Sequence, residues 1–445
     1  MQRLLIGVSV VAVWLAGAIC NSAFAEKPNI IVIMVDDFGF ECVTANGGES
    51  YQTPHIDQLA STGMRFEHCH VQPLCTPTRV QLMTGIYNVR NYIEFGLLDP
   101  KATTFGHLLK KQGYATAIAG KWQLGLQADL PQHFGFDESC LWQLTRRPPR
   151  YANPGLEYNG VEKDFAKGEY GPALVNDFAL SFIERHRSEP FFLYYPMILT
   201  HDPFQPTPDS PDWDPATTGE KAKRSVKNFA WMTQYMDKMV GRVVAKLEEF
   251  KLRENTLILF LGDNGTQVTV TSQFRGQPYQ GGKGQGNAQG THVPLIVNWP
   301  GHVPAGQENF DLIGSVDFLP TICEAAGVTV PAELAIDGIS FLPQCLGKPS
   351  TPRQIHYCWY ARDGGAEAKV EFAMTREMKL HRDGRLFDLT SDPLESQPLS
   401  SDQLTSAQRE ARIQLAAELE RFREARPAHL AKRNRSEKSA KKKRQ

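Results

Sequence analysis

The chain has 445 residues, 41% of them hydrophobic and 22% charged, with a formal net charge of -1. A chain of this size and apolar content builds a large core with room for a smaller second unit, which excludes a disordered or fibrous protein. The balanced charge excludes a general attraction to nucleic acid or to an anionic membrane surface.

Residues 1–25 carry Arg3, an apolar stretch from Leu4, and then Ala23-Phe24-Ala25, the small-x-small pattern of a signal peptidase site. The apolar run is short for a membrane span. The expectation is a cleaved signal peptide and an exported protein, periplasmic or secreted, with no stable span after cleavage. Removing Cys20 leaves seven of the eight cysteines: Cys42, Cys69, Cys75, Cys140, Cys323, Cys345 and Cys358. An odd number in an oxidising compartment leaves at least one thiol free or engaged in chemistry. Their wide spacing shows no disulfide framework, and one or two bridges stay open.

"PNIIVIMVDD" (Pro28 to Asp37) is a continuous apolar run ending in two carboxylates, the pattern of a buried parallel strand. Similar runs follow in "ATAIAGK" from Ala115, "PFFLYYP" from Pro190, "TLILFLGDNG" from Thr256 and "VPLIVNWP" from Val293. Between them lie helical patterns starting at Thr103, Gly171, Trp231 and Ser315. Strands alternating with helices predict an α/β fold, a large, mostly parallel sheet sandwiched by helices. Beyond about Gly347, the alternating segments "IHYCWY", "EFAMTREMKL" and "RLFDLTSDP" predict a small antiparallel sheet, followed by a helix from about Asp402 to Arg423. The expected units are a signal peptide (1–25), a main domain (26–346), a C-terminal subdomain (347–428) and a basic disordered tail (429–445). That tail reads as a solubilising end or as a contact to polyanionic glycan.

Ligands of such sheets gather at the carboxyl ends of the strands. Asp36 and Asp37 close one run and Asp263-Asn264 another, so hard oxygen ligands can converge there on Ca²⁺ or Mg²⁺. In "VQPLCTPTRVQLMTG", Pro77 marks a helix start, which puts Cys75 at an N-terminus with free backbone N–H groups and Arg79 one turn on, an arrangement suited to an anion. Lys121 ends an apolar strand, and Lys283 lies in the glycine-rich "GGKGQG", whose backbone can approach an anion closely. His68 and His70 could share one strand face as a zinc pair, but no third ligand accompanies them. His107 is accounted for by packing on its helix.

"LCTPTRVQLMTG", "PNIIVIMVDD", "GYATAIAGKWQLG", "THDPFQP", "GDNG", "GGKGQGNAQGTHVPLIVNWPG" and "RLFDLTSDPLES" together resemble the landmarks of the type I sulfatases, of the alkaline-phosphatase-like superfamily, over nearly all of the mature length. The resemblance implies a sulfuric ester hydrolase in which a maturation enzyme oxidises Cys75 to formylglycine. It implies that Asp36, Asp37, Asp263 and Asn264, with the position-75 side chain, bind a divalent cation, usually Ca²⁺ rather than Mg²⁺. Arg79 would then hold the formylglycine, Lys121 and Lys283 the sulfate oxygens, and His201 the ester oxygen, protonating the leaving alcohol together with Lys283. By analogy with the family the substrate is a sulfated carbohydrate, and loops such as Gly125 to Tyr170 and Asp202 to Ser225 would set its identity.

One position departs from the family pattern. The family's "GKWHLG" reads "GKWQLG", placing Gln123 where a histidine normally contacts formylglycine and takes a proton, a task for which a carboxamide has no useful basicity. Ala288-Gln289-Gly290 and His292 also replace the common Glu-Gly-Gly and Arg. Two alternatives therefore stand beside the sulfatase reading: a phosphate or phosphonate ester hydrolase on the same scaffold, and a catalytically impaired protein that binds sulfated glycan.

Overall fold

The computed structural model describes residues 27–216, 224–365 and 367–431. The expected signal peptide and its cleavage site lie outside the described residues, as does the basic tail from residue 432 on. The first residues assigned to that tail belong to a short helix, Ala428–Ala431.

The apolar runs become strands because no polar position interrupts them, so both faces can be covered. The first half of the chain supplies β1 (Asn29–Val35), β2 (Met64–His70), β3 (Ala115–Lys121), β4 (Glu138–Trp142), β5 (Gly155–Tyr158), β6 (Val161–Asp164) and β7 (Phe191–Pro196). The second supplies β8 (Thr256–Gly262), the hairpin β9 (Thr271–Phe274) and β10 (Gln277–Gln280), then β11 (Leu295–Asn298) and β12 (Gln307–Gly314). Ten of these form one sheet in the order β12-β2-β11-β8-β1-β7-β3-β4-β5-β6. The central strands β8, β1, β7, β3 and β4 are parallel.

"VPLIVNWP" departs from the parallel expectation: β11 runs antiparallel to both β8 and β2. The segment joining β8 to β11 holds the β9-β10 hairpin and a glycine-rich loop, with no crossover helix long enough to return the chain to the other end of the sheet.

Alternate residues of β1 feed two cores. Ile30, Val32 and Met34 join one with Phe105, Leu109, Phe318 and Ile322 of two helices, Phe105–Lys111 and Phe318–Ala325. Ile31, Ile33 and Val35 join the other with Phe182 and Met236 of the helices Gly171–Arg185 and Asn228–Glu249. The period-2 alternation of the strand thus becomes a three-layer architecture. His107 serves as a cap: its ring Nδ1 accepts from the Thr104 backbone N–H at 3.1 Å, at the start of Phe105–Lys111.

The C-terminal segments form β13 (His356–Tyr360), β14 (Val370–Met374), β15 (Met378–His381) and β16 (Leu386–Asp388), an antiparallel sheet in sequential order. The helix Ser406–Arg421 that follows is capped by a Thr405–Gln408 box. Its Leu415 and Leu419 share a core with Tyr357 of β13 and Leu380 of β15.

All seven described cysteines are buried and none is paired, so the bridges left open by the sequence do not form among the described residues. Among the described residues no third ligand joins His68 and His70; their rings instead stack on His292, at 6.5 and 4.9 Å between centroids, and Phe40 closes the stack at 4.1 Å from His292. His356 stands 6.1 Å beyond His70.

Burial holds His70 well below the ordinary imidazole range, His292 at about 4 and His356 at about 3. These groups stay neutral in the folded protein but protonate in the unfolded chain below about pH 6.5, so stability is lost as pH falls from there towards their folded values. Between pH 7.5 and 5.0 the expected loss is about 2 kcal/mol per buried histidine, measurable by denaturant unfolding at the two pH values. Neither ring nitrogen of His356 has a hydrogen-bond partner. His356→Phe should therefore remove that residue's share of the pH slope.

Candidate active site

The register of β1 on β8 pairs Val35 with Gly262, so the residues that follow, Asp36-Asp37 and Asp263-Asn264, emerge side by side at the carboxyl edge of the sheet. Asp37 adopts a left-handed backbone (φ 59°), a rarely populated conformation that turns the chain directly after the strand. Asp37 N–H donates to Asp263 Oδ1 at 3.1 Å, and Asn264 Nδ2 donates to Asp37 Oδ1 at 2.9 Å. The two pairs form one cluster with no exposed side-chain surface on Asp36, Asp37, Asp263 or Asn264.

Lys121 arrives at the end of β3. The preceding Gly120 lies against β7, where a Cβ would stand 1.8 Å from the Pro196 carbonyl oxygen, and its φ is 129°. No other residue fits both constraints. Lys121 Nζ donates to Asp36 Oδ2 at 2.7 Å. Lys283 is fixed by its loop: its own N–H donates to Thr266 O at 3.0 Å, and that of Gly284 to Pro73 O at 2.8 Å. Its Nζ donates to Asp37 Oδ2 at 2.6 Å.

Cys75 opens the helix Cys75–Thr84, as the sequence predicts, and is buried. Its Sγ–H donates to Gln123 Oε1 at 2.9 Å, and Thr76 Oγ1 reaches the same oxygen at 3.4 Å. Gln123 is a second left-handed residue at the site (φ 56°). Arg79 is buried one turn along the helix and donates to Asp263 Oδ2 and to Lys121 O, each at 2.9 Å. These bonds tie the helix to the acidic cluster; Arg79 makes no hydrogen bond to Cys75.

His201 follows β7. Its Nδ1 donates to Asp202 O at 2.5 Å, which leaves Nε2 as the acceptor facing Lys283 Nζ at 3.1 Å. Burial lowers His201 to about 4 against the pull of Asp37 and Asp36, so the imidazole is neutral at pH 7.

Charge crowding governs the cluster. Burial and then the Asp36 charge push Asp263 up to about 7, although Arg79 and Lys121 pull it down. Burial also raises Asp36, but Lys121, His201 and Arg79 together outweigh it and hold that carboxyl well below the usual range. Burial raises the Cys75 thiol, so it is a poor thiolate nucleophile as it stands.

The cluster fits a hard divalent cation on three observations. Asp36 Oδ1 and Asn264 Oδ1 are buried oxygens with no hydrogen-bond partner. Ligand atoms of Asp36, Cys75 and Asp263 lie within 4.8 Å of one another, as do those of Asp36, Asp37 and His201. Oxygen donors dominate the set. Three cationic side chains, Arg79, Lys121 and Lys283, already balance the three carboxylates. A divalent cation added to this neutral group would therefore attract a dianion to the same opening.

Every residue singled out from the sequence for this site converges here. Sequence reasoning missed Arg150, whose Nη1 stands 3.0 Å from His201 Nδ1, and Tyr151, whose hydroxyl donates to His201 O. The only signal was the arginine-proline run "RRPPRY" in a loop flagged for specificity.

Comparison with known proteins gives the arrangement a context. The Sulfatase family profile matches residues 28–328, and the profile described as N-sulphoglucosamine sulphohydrolase, C-terminal, matches residues 287–425. The chain is 31% identical to arylsulfatase A of Bos taurus over 375 residues, which is 76% of this chain and 72% of that one. It is likewise 31% identical to N-acetylgalactosamine-6-sulfatase of Sus scrofa over 368 residues, 75% of this chain and 68% of the other. Among solved structures, Ps i-CgsB superposes with a TM-score of 0.78 at 25% identity, covering 93% of this chain and 96% of that one, and Ps i-CgsB is also known in complex with k-i-k-neocarrahexaose.

Proposed function

The chain belongs to the sulfatase family and is a sulfate ester hydrolase, and from that premise we propose that its substrate is a sulfated carbohydrate, hydrolysed through a formylglycine made from Cys75 beside a Ca²⁺ held by Asp36, Asp37, Asp263 and Asn264. The observation that carries the reading is the convergence of Cys75, at a helix N-terminus, with this oxygen cluster. The names of two similar proteins, an N-acetylgalactosamine-6-sulfatase and one solved with a neocarrahexaose, favour a carbohydrate.

A formylglycine at position 75, once hydrated, would supply one hydroxyl as nucleophile towards sulfur, displacing the alcohol as its bond to sulfur breaks, and a second hydroxyl whose ionisation would release sulfate with return of the carbonyl. A bound Ca²⁺ supplies Lewis acidity towards a sulfate oxygen and the attacking hydroxyl. The protein's own groups do the rest. Lys121 and Lys283 place two ammonium charges beside Asp36 and Asp37, where sulfate oxygens would be drawn, and Arg79 pairs directly with Asp263 and opposes the burial and the Asp36 charge that raise it. Lys283 and the neutral His201 share a hydrogen bond, so a proton for the departing alcohol can be delivered at their junction. Gln123 Oε1 accepts from the position-75 side chain and orients it. It cannot take the proton away.

Export to the periplasm or beyond and dependence on a maturation enzyme belong to the same proposal. No helix among the described residues is long and apolar enough to cross a membrane. Gln123 favours a second reading, a sulfated-glycan binder with little turnover, and turnover of 4-nitrophenyl sulfate by the matured protein decides between the two. The peptide spanning Cys75 should weigh about 18 Da less than its thiol form. An intact thiol in protein from a host with the maturation machinery sinks the formylglycine assignment.

Removing the cation gives an independent test. Dialysis against a chelator should lower activity by about 100-fold or more, with Ca²⁺ restoring it better than Mg²⁺. At Ca²⁺ about 100 times its Kd, the folded state should gain about 2.7 kcal/mol, seen as a rise in Tm that does not depend on turnover.

A further inference from the structure

Beside His201 the described surface opens into a cleft of about 450 Å³ lined by Trp142, Arg147, Arg150, Tyr151, Gln205 and Arg224. Arg150 is 8% exposed, with its guanidinium 3.9 Å from the Trp142 ring centre. Buried guanidiniums ordinarily meet a carboxylate, because five donors and a full charge are costly to leave uncompensated. The neighbouring, half-buried Arg146 has carboxylate partners in Glu162 and Asp164. Among the described residues no carboxylate pairs with Arg147, Arg150 or Arg224; Arg150 Nη1 stands 3.0 Å from His201 Nδ1, which already donates to Asp202 O and so cannot accept from it. Partial burial and the charge of Arg150 pull Arg147 below the usual arginine range, and Arg147 lines the same cleft as Arg150.

We propose that this cleft is a subsite for a second anionic group, a sulfate or a carboxylate, carried by the sugar that bears the scissile sulfate or by its neighbour. The inference rests on the sulfatase reading above and deepens it. Arg150 and Lys283 bracket a single imidazole, 3.0 Å from Nδ1 and 3.1 Å from Nε2. The two cations therefore stand within about 8 Å of each other, a span that one sugar ring with two charged substituents can bridge. Trp142 and Tyr151 are buried behind the cleft, and the Trp142 face holds the Arg150 guanidinium in place. Bidentate guanidinium contacts suit both sulfate and carboxylate, and the desolvated setting strengthens them.

The test is calorimetric binding to the intact, matured protein. The probes are monosulfated galactose and glucosamine, their disulfated counterparts, and a 2-sulfated glucuronate paired with the matching 2-sulfated glucose. At least one doubly anionic sugar should bind about tenfold or more tightly than its singly charged parent, and Arg147→Ala/Arg224→Ala should shrink that preference to about twofold or less. Both positions are exposed, so the fold tolerates the change. A preference confined to the disulfates identifies the second group as sulfate, and one confined to the glucuronate identifies it as carboxylate. Equal affinity across every pair, or a preference that survives the double substitution, overturns the subsite. Hydrolysis of 4-nitrophenyl sulfate, measured separately, tests the sulfatase reading without entering the comparison.

Discussion

Cys75→Ala should lower hydrolysis of 4-nitrophenyl sulfate by about 10⁴-fold or more, because removing a covalent nucleophile leaves only the binding and charge stabilisation of the surrounding groups. The fold should survive. Cys75 lies at the first position of its helix, and alanine is a better helix former there than cysteine. The anchors of that helix are untouched: Arg79 still binds Asp263 and Lys121 O, and Thr78 still accepts from Gln72 N–H at 3.0 Å. Thermal unfolding of the variant should therefore stay within a few degrees of wild type. Serine is a second informative replacement, since it keeps a hydroxyl in place of the thiol. A serine that is not oxidised can capture sulfate but has no second hydroxyl with which to expel it, so a single burst followed by arrest is the expected time course. Retention of activity within about tenfold in the alanine variant would remove Cys75 from the reaction altogether.

The parts of this molecule that were legible in the sequence share one physical property: they are constrained from several sides at once. β1, β7 and β8 carry uninterrupted apolar residues because helices cover both faces, and every residue of each is buried. Where only one side constrains the chain, the signal fades. β6 is exposed at all four positions and sits at the sheet edge, so its sequence "VEKD" shows neither a continuous nor an alternating apolar pattern. β11 was legible as a strand but not in direction, since direction is set by the connecting segment and not by the strand's own residues. The site follows the same logic. Asp36, Asp37, Asp263 and Asn264 stand at strand ends, where the architecture itself brings them together. Arg150 comes from a loop whose path depends on Trp142, Tyr151 and the Pro148 carbonyl, which accepts from Trp142 Nε1 at 2.9 Å. No periodicity encodes such a path.

Gln123→His should raise kcat for 4-nitrophenyl sulfate by about 100-fold at neutral pH, the lower end of what a positioned general base contributes. Gln123 Oε1 already touches the position-75 side chain at 2.9 Å, so the residue is in hydrogen-bond reach of the proton that must leave for sulfate to depart. A carboxamide oxygen accepts a hydrogen bond but does not hold a proton at pH 7, whereas imidazole can take one, with an ordinary pKa near 6.5. The backbone permits the exchange: position 123 has a φ of 56°, and histidine is among the residues enriched in that left-handed region. Nearby Lys121 disfavours a second cation, which keeps the new imidazole in its basic form at neutral pH. The variant should therefore acquire an acidic limb in its kcat against pH profile at or below about pH 6.5, reporting the new base. Gln123→Ala separates orientation from basicity. If the carboxamide orients the position-75 side chain, alanine falls below wild type while histidine rises above it, giving the order Ala, Gln, His. A histidine variant with unchanged kcat and no new limb would show that proton removal at this position does not limit the reaction.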